Sequence, residues 1–261
     1  MTSLGPAGEA LRAAGARGGL ILDFDGVLSP IVDDPQASRM AVAAKPSLTR
    51  LVKELRLVAV LSGRPLGFLD EQVDVDGMLL LGSYGIERRE DGVSRVHPAV
   101  APWMPVVSAA VSALEERLSP LPGVRIEDKG VAVAAHWRQA EDRAEAESAI
   151  VAVTRAIAEE SGLKVEPGKL VVELRAPVDV DKGTAVEEIV AAQGLKPVVY
   201  VGDDLGDGPA FGAARRLGGY ALLVDHGEET PPELRAQCDA RLAGVPGFVD
   251  WLESLASAIT R

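Results

Sequence analysis

The sequence predicts an α/β fold, with a doubly wound parallel sheet as its core and a smaller α+β domain inserted into that core. Short runs that are apolar on both faces alternate with amphipathic segments, as in a parallel sheet covered by helices on both sides. A middle segment instead alternates apolar and polar residues, as in an antiparallel sheet with one covered face. The chain has 261 residues, 47% of them hydrophobic, which is enough for one large core and a second unit.

The predicted core strands are short aliphatic and β-branched runs, each bounded by Gly, Pro or Asp. They cover residues 20–22, 57–61, 78–81, 198–201 and 220–224. Amphipathic segments at residues 46–55 and 182–193 are predicted helices between these strands. Strands that alternate with helices in this way are expected to pair in parallel.

The middle of the chain predicts an inserted domain with the element order αββαββ. Its helices are "MPVVSAAVSALEERL" and "AEDRAEAESAIVAVTRAIAEE", and its strands are "VRIEDKG", "VAVAAHWR", "LKVEPG" and "KLVVELRA". We therefore expect a core domain of residues 1–101 and 178–261 and a cap domain of residues 102–177. An inserted domain of this kind can close over the carboxyl edge of the core sheet and exclude water from it.

Charge and cysteine content exclude several classes of partner. The chain carries 39 acidic residues against 27 Lys and Arg, a formal net charge of −12, which argues against nucleic acid and anionic membranes as partners. Cys238 is the only cysteine, so no disulfide can form within the chain and a reducing compartment is expected. No window reaches the ~18 apolar residues of a membrane span. We expect a soluble, monomeric, cytoplasmic protein that binds a small molecule.

Two acids follow the first predicted strand in "LILDFDGVLSP". Asp23 and Asp25 lie at the carboxyl end of this strand, where ligands bind in an open parallel sheet. Carboxylates this close together repel unless a divalent cation lies between them or one is protonated. One carboxylate could attack phosphorus while the other protonates the leaving oxygen. A capped turn after a strand is the structural alternative for this motif.

Three further motifs follow predicted strand ends or begin a predicted helix. "VLSGRP" offers a hydroxyl, a backbone amide and a guanidinium to a phosphate, and "DKGTAV" places an ammonium at a helix start. "VYVGDDLGD" supplies carboxylate oxygens suited to a hard cation such as Mg²⁺. The residues concerned are Ser62, Gly63, Arg64, Lys182, Asp203, Asp204 and Asp207. Four such motifs in this order are difficult to explain as independent turns.

This ordered set resembles the haloacid dehalogenase superfamily of phosphotransferases, whose motifs are D-x-D-x-[TV], Ser, Lys and G-D-D. The resemblance implies that Asp23 is the nucleophile that forms an aspartyl phosphate and that Asp25 is the general acid and base. It implies Mg²⁺ bound by the Asp23 side chain, the Asp25 backbone carbonyl and Asp203. Ser62 and Lys182 would then hold the phosphoryl group, with Asp204 and Asp207 as indirect or water-mediated partners of the metal.

The inserted segment narrows the resemblance to one family. Glu127 and Lys129 alternate onto one strand face, as Lys169 and Glu173 do on another, which suits sugar hydroxyls or, equally, ordinary cross-strand ion pairs. "E-x-K…HWR" followed by "GK…E", together with "DFDGVLSPIVDDPQASR", resembles the trehalose-6-phosphate phosphatases. This resemblance implies that the sugar phosphate contacts Glu127, Lys129, Arg138, Lys169 and Glu173. His136 is expected to be structural.

The sequence departs from the family pattern in two motifs. In "GDDLGDGP", Gly206 and Gly208 replace the usual Thr and Glu, so the support for this loop and for Lys182 is expected to be weaker. Val27 stands where Thr is common, a change that the wider superfamily pattern includes.

The leading hypothesis is Mg²⁺-dependent hydrolysis of trehalose 6-phosphate, and two alternatives remain open. A phosphatase for another glycosyl phosphate, such as sucrose phosphate, a glycosylglycerate phosphate or a pseudo-disaccharide phosphate, would have the same core motifs. A sugar-phosphate binding module without catalysis is expected to lose Asp23 or Asp25, and both are present. A mutase is disfavoured because residues 29–53 leave too little room for the helical cap such enzymes carry.

Overall fold

The computed structural model describes residues 3–32, 34–168 and 170–259. The chain divides into two compact units, Met1–Arg95 with Val180–Arg261, and Val96–Asp179. The boundaries expected from the sequence were residues 102 and 177. Within the described residues, no helix is long and apolar enough to cross a membrane.

The first unit, called the core unit below, contains a mixed sheet flanked by helices. Its strands are β1 (Gly19–Leu22), β2 (Leu57–Leu61), β3 (Leu79–Gly82), β4 (Glu87–Glu90), β5 (Val93–Val96), β10 (Val198–Gly202), β11 (Tyr220–Asp225) and β12 (Ala240–Ala243). Its helices are α1 (Gly5–Ala14), α2 (Lys45–Glu54), α3 (Leu66–Gln72), α6 (Lys182–Gln193), α7 (Gly208–Arg216), α8 (Pro232–Gln237) and α9 (Gly244–Ile259).

The core sheet has the strand order β12-β11-β10-β1-β2-β3-β4-β5. The six strands from β12 to β3 pair in parallel, and β4 is antiparallel to β3. The five predicted core strands are all present among them. β4, β5 and β12 were not predicted, because their charged and partly exposed residues lack an apolar run.

Successive residues of the central strands supply two separate cores, one on each face of the sheet. Leu20 and Leu22 of β1 pack with α1, α2, α3 and α9, whereas Ile21 packs with α6, α7 and α8. Because both faces are covered, β1, β2 and β10 are buried along their whole length. The predicted doubly wound α/β architecture is therefore confirmed.

The second unit, called the inserted unit below, contains α4 (Met104–Leu118), β6 (Arg125–Asp128), β7 (Ala132–His136), α5 (Arg143–Ser161), β8 (Lys164–Gly168) and β9 (Val171–Arg175). Its sheet is antiparallel with the order β6-β7-β9-β8. Alternate residues of β7 and β9, such as Val133 and Leu174, pack against the two helices. The intervening residues form the sheet face that these helices do not cover.

Candidate active site

A cavity of about 450 Å³ in the core unit lies where β1, β2, β3 and β10 end. Parallel strands bring their carboxyl ends to one edge, so motifs far apart in sequence meet there. The lining residues are Asp23, Asp25, Ile31, Ser62, Gly63, Arg64, Tyr84, Lys182, Asp203, Asp204 and Gly206. Eight of the nine core residues singled out from the sequence line this cavity, and the ninth, Asp207, is buried.

The turn after β1 depends on a glycine. Gly26 has a φ of +72°, and a Cβ added there would lie 2.0 Å from Oδ2 of Asp203. A side chain at position 26 is therefore excluded both by the backbone conformation and by the carboxylate. The glycine of the D-x-D-G motif thus lets the loop after β10 approach the loop after β1.

A cluster of buried charged side chains lies at the cavity wall. The Lys182 side chain, 3% exposed, places Nζ 2.7 Å from Oδ2 of Asp23 and 2.7 Å from Oδ1 of Asp207. Lys182 is the first residue of α6, and Asp181 caps that helix by accepting a hydrogen bond from the Thr184 amide. The helix start therefore fixes the ammonium between two carboxylates.

Asp207 accepts the hydrogen bonds that fix the other groups of this cluster in position. Its Oδ1 accepts hydrogen bonds from Lys182 Nζ and from the Tyr200 hydroxyl at 2.7 and 2.6 Å. Its Oδ2 accepts from the backbone amides of Asp203 and Asp204 at 2.8 and 3.1 Å. Since each of its oxygens already accepts two hydrogen bonds, Asp207 positions the lysine and the loop after β10 and is poorly placed to bind a ligand itself.

The remaining buried carboxylates are suited to a cation. Carboxylate oxygens of Asp23, Asp203 and Asp207 lie within 4.8 Å of one another. Oδ1 of Asp203 is buried without a hydrogen-bond partner. A buried carboxylate oxygen is normally bound by a hydrogen-bond donor or a metal ion, and hard divalent cations prefer carboxylate oxygens. Asp23 and Asp203 therefore provide a fitting donor pair.

Burial and mutual repulsion shift the titration of these two acids. Burial, opposed by Lys182 and reinforced by Asp207, raises the pKa of Asp23 to about 7. Burial and the charges of Asp23 and Asp207 raise the pKa of Asp203 to about 9. Burial alone would lower the pKa of Lys182, but Asp23 and Asp207 raise it above its ordinary value. A nearby divalent cation would favour the ionised form of both carboxylates.

Asp25 points to different partners from Asp23. Arg64 donates two hydrogen bonds to it, from Nε to Oδ2 at 2.7 Å and from Nη2 to Oδ1 at 2.9 Å. The buried Ser38 hydroxyl donates to Oδ1 at 2.7 Å and lies 2.7 Å from the Ser29 hydroxyl. The guanidinium, which we expected to contact a phosphate, is therefore engaged with a carboxylate in this structure and also lies over the Phe68 ring.

The side-chain support of the fourth-motif loop comes from its own aspartates, Asp204 and Asp207. The Asp204 carboxylate accepts a hydrogen bond from the Gly206 amide at 2.8 Å, and Gly208 begins α7. At positions 206 and 208, where the family pattern has Thr and Glu, no side chain is available. Asp207 is therefore the residue of this loop that contacts Lys182.

The residues expected to bind sugar lie in the inserted unit. His136 Nε2 lies 2.8 Å from Glu127, and this hydrogen bond lowers the pKa of the Glu127 carboxyl below its usual value. Lys129 is paired with Glu173. Arg138 is exposed in the turn after β7, and Lys169 lies outside the described residues. Glu127 and Glu173 both pair in register with Ala134, so they share the sheet face that α4 and α5 do not cover.

Several side chains at or beside the cavity were not found from the sequence, among them Ile31, which lines it. Tyr84 lines the cavity, Ser38 contacts Asp25, and Tyr200 contacts Asp207. Tyr84 follows β3, so the rule that sites form at carboxyl strand ends could have identified it. Ser38 and Tyr200 had no such signal, because their roles depend on contacts that only the folded chain creates.

The sequence matches the family model described as trehalose-phosphatase over residues 21–238. The chain is 38% identical over 236 residues to the trehalose-phosphate phosphatase of Mycobacterium marinum, covering 85% of this chain and 59% of that protein. With the trehalose-phosphate phosphatase of Mycobacterium leprae it shares 34% identity over 224 residues, covering 80% of this chain and 51% of that protein. The chain thus spans little more than half the length of these curated relatives.

Solved structures share the fold at lower identity. A trehalose-6-phosphate phosphatase related protein superposes with a TM-score of 0.76 at 22% identity, covering 92% of this chain and 97% of the other. The C-terminal domain of Candida albicans trehalose-6-phosphate phosphatase gives 0.71 at 22% identity, covering 98% and 97%. A haloacid dehalogenase-like hydrolase from Bacteroides thetaiotaomicron gives 0.62 at 14% identity, covering 91% and 99%.

Proposed function

The chain belongs to the trehalose-phosphatase family, and from this premise we propose that it hydrolyses trehalose 6-phosphate to trehalose and phosphate with Mg²⁺ as cofactor. The observation that carries this proposal is the buried cluster in which Lys182 lies 2.7 Å from Asp23 while a buried oxygen of Asp203 has no partner. A turn that merely ended a strand would not need this arrangement, since burying several like charges is costly.

In the first step of the proposed mechanism, a carboxylate oxygen of Asp23 attacks the phosphorus atom. The bond from phosphorus to the sugar oxygen breaks, and Asp25 gives a proton to that oxygen. The Ser62 hydroxyl, the Gly63 amide and the Lys182 ammonium hold the phosphoryl oxygens. An aspartyl phosphate and the free sugar result.

In the second step, Asp25 takes a proton from water as that water attacks the phosphorus of the aspartyl phosphate. The bond between phosphorus and Asp23 breaks, which releases phosphate and restores both acids. Both Asp25 oxygens accept hydrogen bonds from Arg64 here, so its carboxyl group must turn from Arg64 before it can donate a proton.

Asp23, Asp203 and the backbone carbonyl of Asp25 are the proposed metal ligands. Bound Mg²⁺ would offset the negative charge of the phosphate and of the nucleophile. Without Mg²⁺, the dianionic substrate would lie beside Asp23 and Asp203, two buried acids with raised pKa values. Asp204 and Asp207 would support the metal indirectly.

The inserted unit is proposed to act as the cap that recognises the sugar through Glu127, Lys129, Arg138, Lys169 and Glu173. An ionised Glu127 suits this role, because carboxylates accept hydrogen bonds from sugar hydroxyls. The family resemblance supports these assignments residue by residue. We also propose that the protein is a cytoplasmic monomer, and light scattering on the purified chain tests the oligomeric state.

The decisive experiment measures phosphate release from trehalose 6-phosphate, sucrose 6-phosphate, glucose 6-phosphate and p-nitrophenyl phosphate, with Mg²⁺ and then with a chelator. We expect a Mg²⁺-dependent kcat/KM for trehalose 6-phosphate at least ~100-fold above the others, or about 2.7 kcal/mol of discrimination. Equal rates would refute the trehalose assignment and leave a general phosphatase. No release from any substrate would favour a binding module.

A further inference from the structure

The turn after β3 has an unusual backbone conformation. Ser83 and Tyr84 are consecutive residues with side chains, and both have left-handed φ values, +49° and +62°. L-residues other than glycine, Asn and Asp rarely adopt this region, because Cβ crowds the backbone. Such a conformation persists only where the surroundings enforce it, and it is concentrated at functional sites.

The phosphate-binding loop after β2 enforces this conformation. The Ser83 amide donates to the Arg64 carbonyl at 2.8 Å, and the Tyr84 amide donates to the Ser62 carbonyl at 2.9 Å. The Ser83 hydroxyl donates to Glu87 at 2.6 Å, and that carboxylate also accepts from the Leu66 amide. The strained turn and the Ser62–Arg64 segment are therefore fixed to each other.

The strained turn places an aromatic ring beside the predicted phosphate position. A Cβ added to Gly63 would lie 2.8 Å from Cζ of Tyr84 and 3.0 Å from its hydroxyl oxygen. The absence of a side chain at Gly63 is therefore what allows the ring to lie on the loop. Tyr84 is nevertheless 37% exposed and lines the cavity.

We propose that Tyr84 is a substrate contact of the core unit, whose ring packs against the hexose that carries the phosphate. This inference rests on the proposed function and adds a specificity residue to it. The phosphoryl oxygens already have Ser62, Gly63 and Lys182, so an uncharged ring beside them is placed to contact the group esterified to the phosphate. The C–H faces of a pyranose ring are apolar and pack well on an aromatic side chain.

The test compares Tyr84→Asn, Tyr84→Phe and a control, Leu217→Asn. Asn tolerates the left-handed conformation, so Tyr84→Asn removes the ring while it keeps the turn. Leu217 is an exposed apolar residue of the same unit that does not line the cavity. For each variant, kcat and KM are measured with trehalose 6-phosphate, glucose 6-phosphate and methyl phosphate, and the unfolding midpoint is recorded.

For Tyr84→Asn we expect KM to rise about tenfold with both sugar phosphates and to stay within twofold with methyl phosphate, at an unchanged unfolding midpoint. Tyr84→Phe keeps the ring and is expected to stay within threefold of wild type on every substrate, as is the control. If Tyr84→Asn raised KM equally for the sugar phosphates and for methyl phosphate, the proposal would be overturned and the ring would only pack on the loop. An unchanged KM for every substrate would overturn it as well.

The same data separate this proposal from the proposed function. A wild-type enzyme with equal kcat/KM on trehalose 6-phosphate and glucose 6-phosphate refutes the disaccharide assignment. The Tyr84 comparison still holds in that case, because both sugar phosphates carry the hexose that the ring is proposed to contact. If a sugar phosphate is not hydrolysed, its inhibition constant against methyl phosphate replaces KM.

Discussion

The charged side chains of the two sheets differ in how completely they are buried. At the carboxyl edge of the core sheet, Asp23, Lys182, Asp203 and Asp207 are buried almost completely. On the uncovered face of the inserted sheet, Lys129 and Glu173 pair in a more exposed setting, as do His136 and Glu127. Buried charges need a fixed counter-charge, whereas partly exposed pairs can exchange one partner for a ligand at small cost. The first arrangement suits catalysis, and the second suits recognition.

Among the variants of the core unit, Asp23→Asn is expected to lower kcat the most. An amide cannot attack phosphorus, so kcat should fall at least ~10³-fold on every phosphate ester. The variant should remain folded, because the substitution removes one of several like charges. Phosphate release and thermal unfolding measure the two effects, and retained turnover would remove Asp23 as the nucleophile.

Lys182→Ala should affect both stability and activity. It leaves Asp23 and Asp207 buried without their ammonium, which should cost about 3–5 kcal/mol of unfolding free energy and lower kcat strongly. Lys45→Ala is the matched control, since Lys45 also begins a helix but pairs with Asp74 at the surface. The control should cost at most about 1 kcal/mol by urea unfolding. Similar costs for both variants would contradict the role of burial.

Removal of metal should make stability fall as pH rises. The pKa values of Asp23 and Asp203 are raised from 3.8 to about 7 and about 9. Between the unfolded and folded values the native state binds protons that the unfolded chain lacks, so this stability is present at low pH and lost as pH rises through the folded pKa. The slope is at most about 1.4 kcal/mol per pH unit for each carboxyl.

Unfolding in chelator from pH 4 to 9 measures this slope, and Mg²⁺ should restore most stability at the alkaline end, where its ligands are ionised. Asp203→Asn is the control, because it removes the acid with the higher pKa and should abolish the part of the slope between pH 7 and 9. A flat profile for the metal-free wild type would contradict the raised pKa values.

Glu173→Ala should change activity the least, and the change should be confined to the sugar phosphate substrate. We expect KM for trehalose 6-phosphate to rise about tenfold while kcat/KM for p-nitrophenyl phosphate stays within twofold. The unfolding free energy should change by about 1 kcal/mol or less, since the Lys129 pair is accessible to water. Glu166, which lies opposite Glu173 in the sheet register and is exposed, provides the control Glu166→Ala. Equal losses on both substrates would contradict a role confined to sugar recognition.

Periodicity was sufficient to predict most of the fold. Solid apolar runs predicted β1, β2, β3, β10 and β11, because a strand buried on both faces needs apolar residues at every position. Periodicity also predicted α4 and α6 with the bounds that the structure has. It could not reveal β4 or β5, since "ERRE" and "VSRV" pair through their backbones without an apolar pattern.

By itself, the sequence determined the α/β class, the order of the motifs and the set of acids, hydroxyls and cations expected at one sheet edge. These follow from local composition and from the rule that parallel strands end together. Only the tertiary structure decided that Arg64 pairs with Asp25, that Asp207 holds Lys182, and that Tyr84 lies over Gly63. The physical reason is that such pairings form only when groups come within about 3 Å of each other, and the paired residues lie up to 39 positions apart in the chain. Chain order sets which residues reach the site, and packing sets which of them touch.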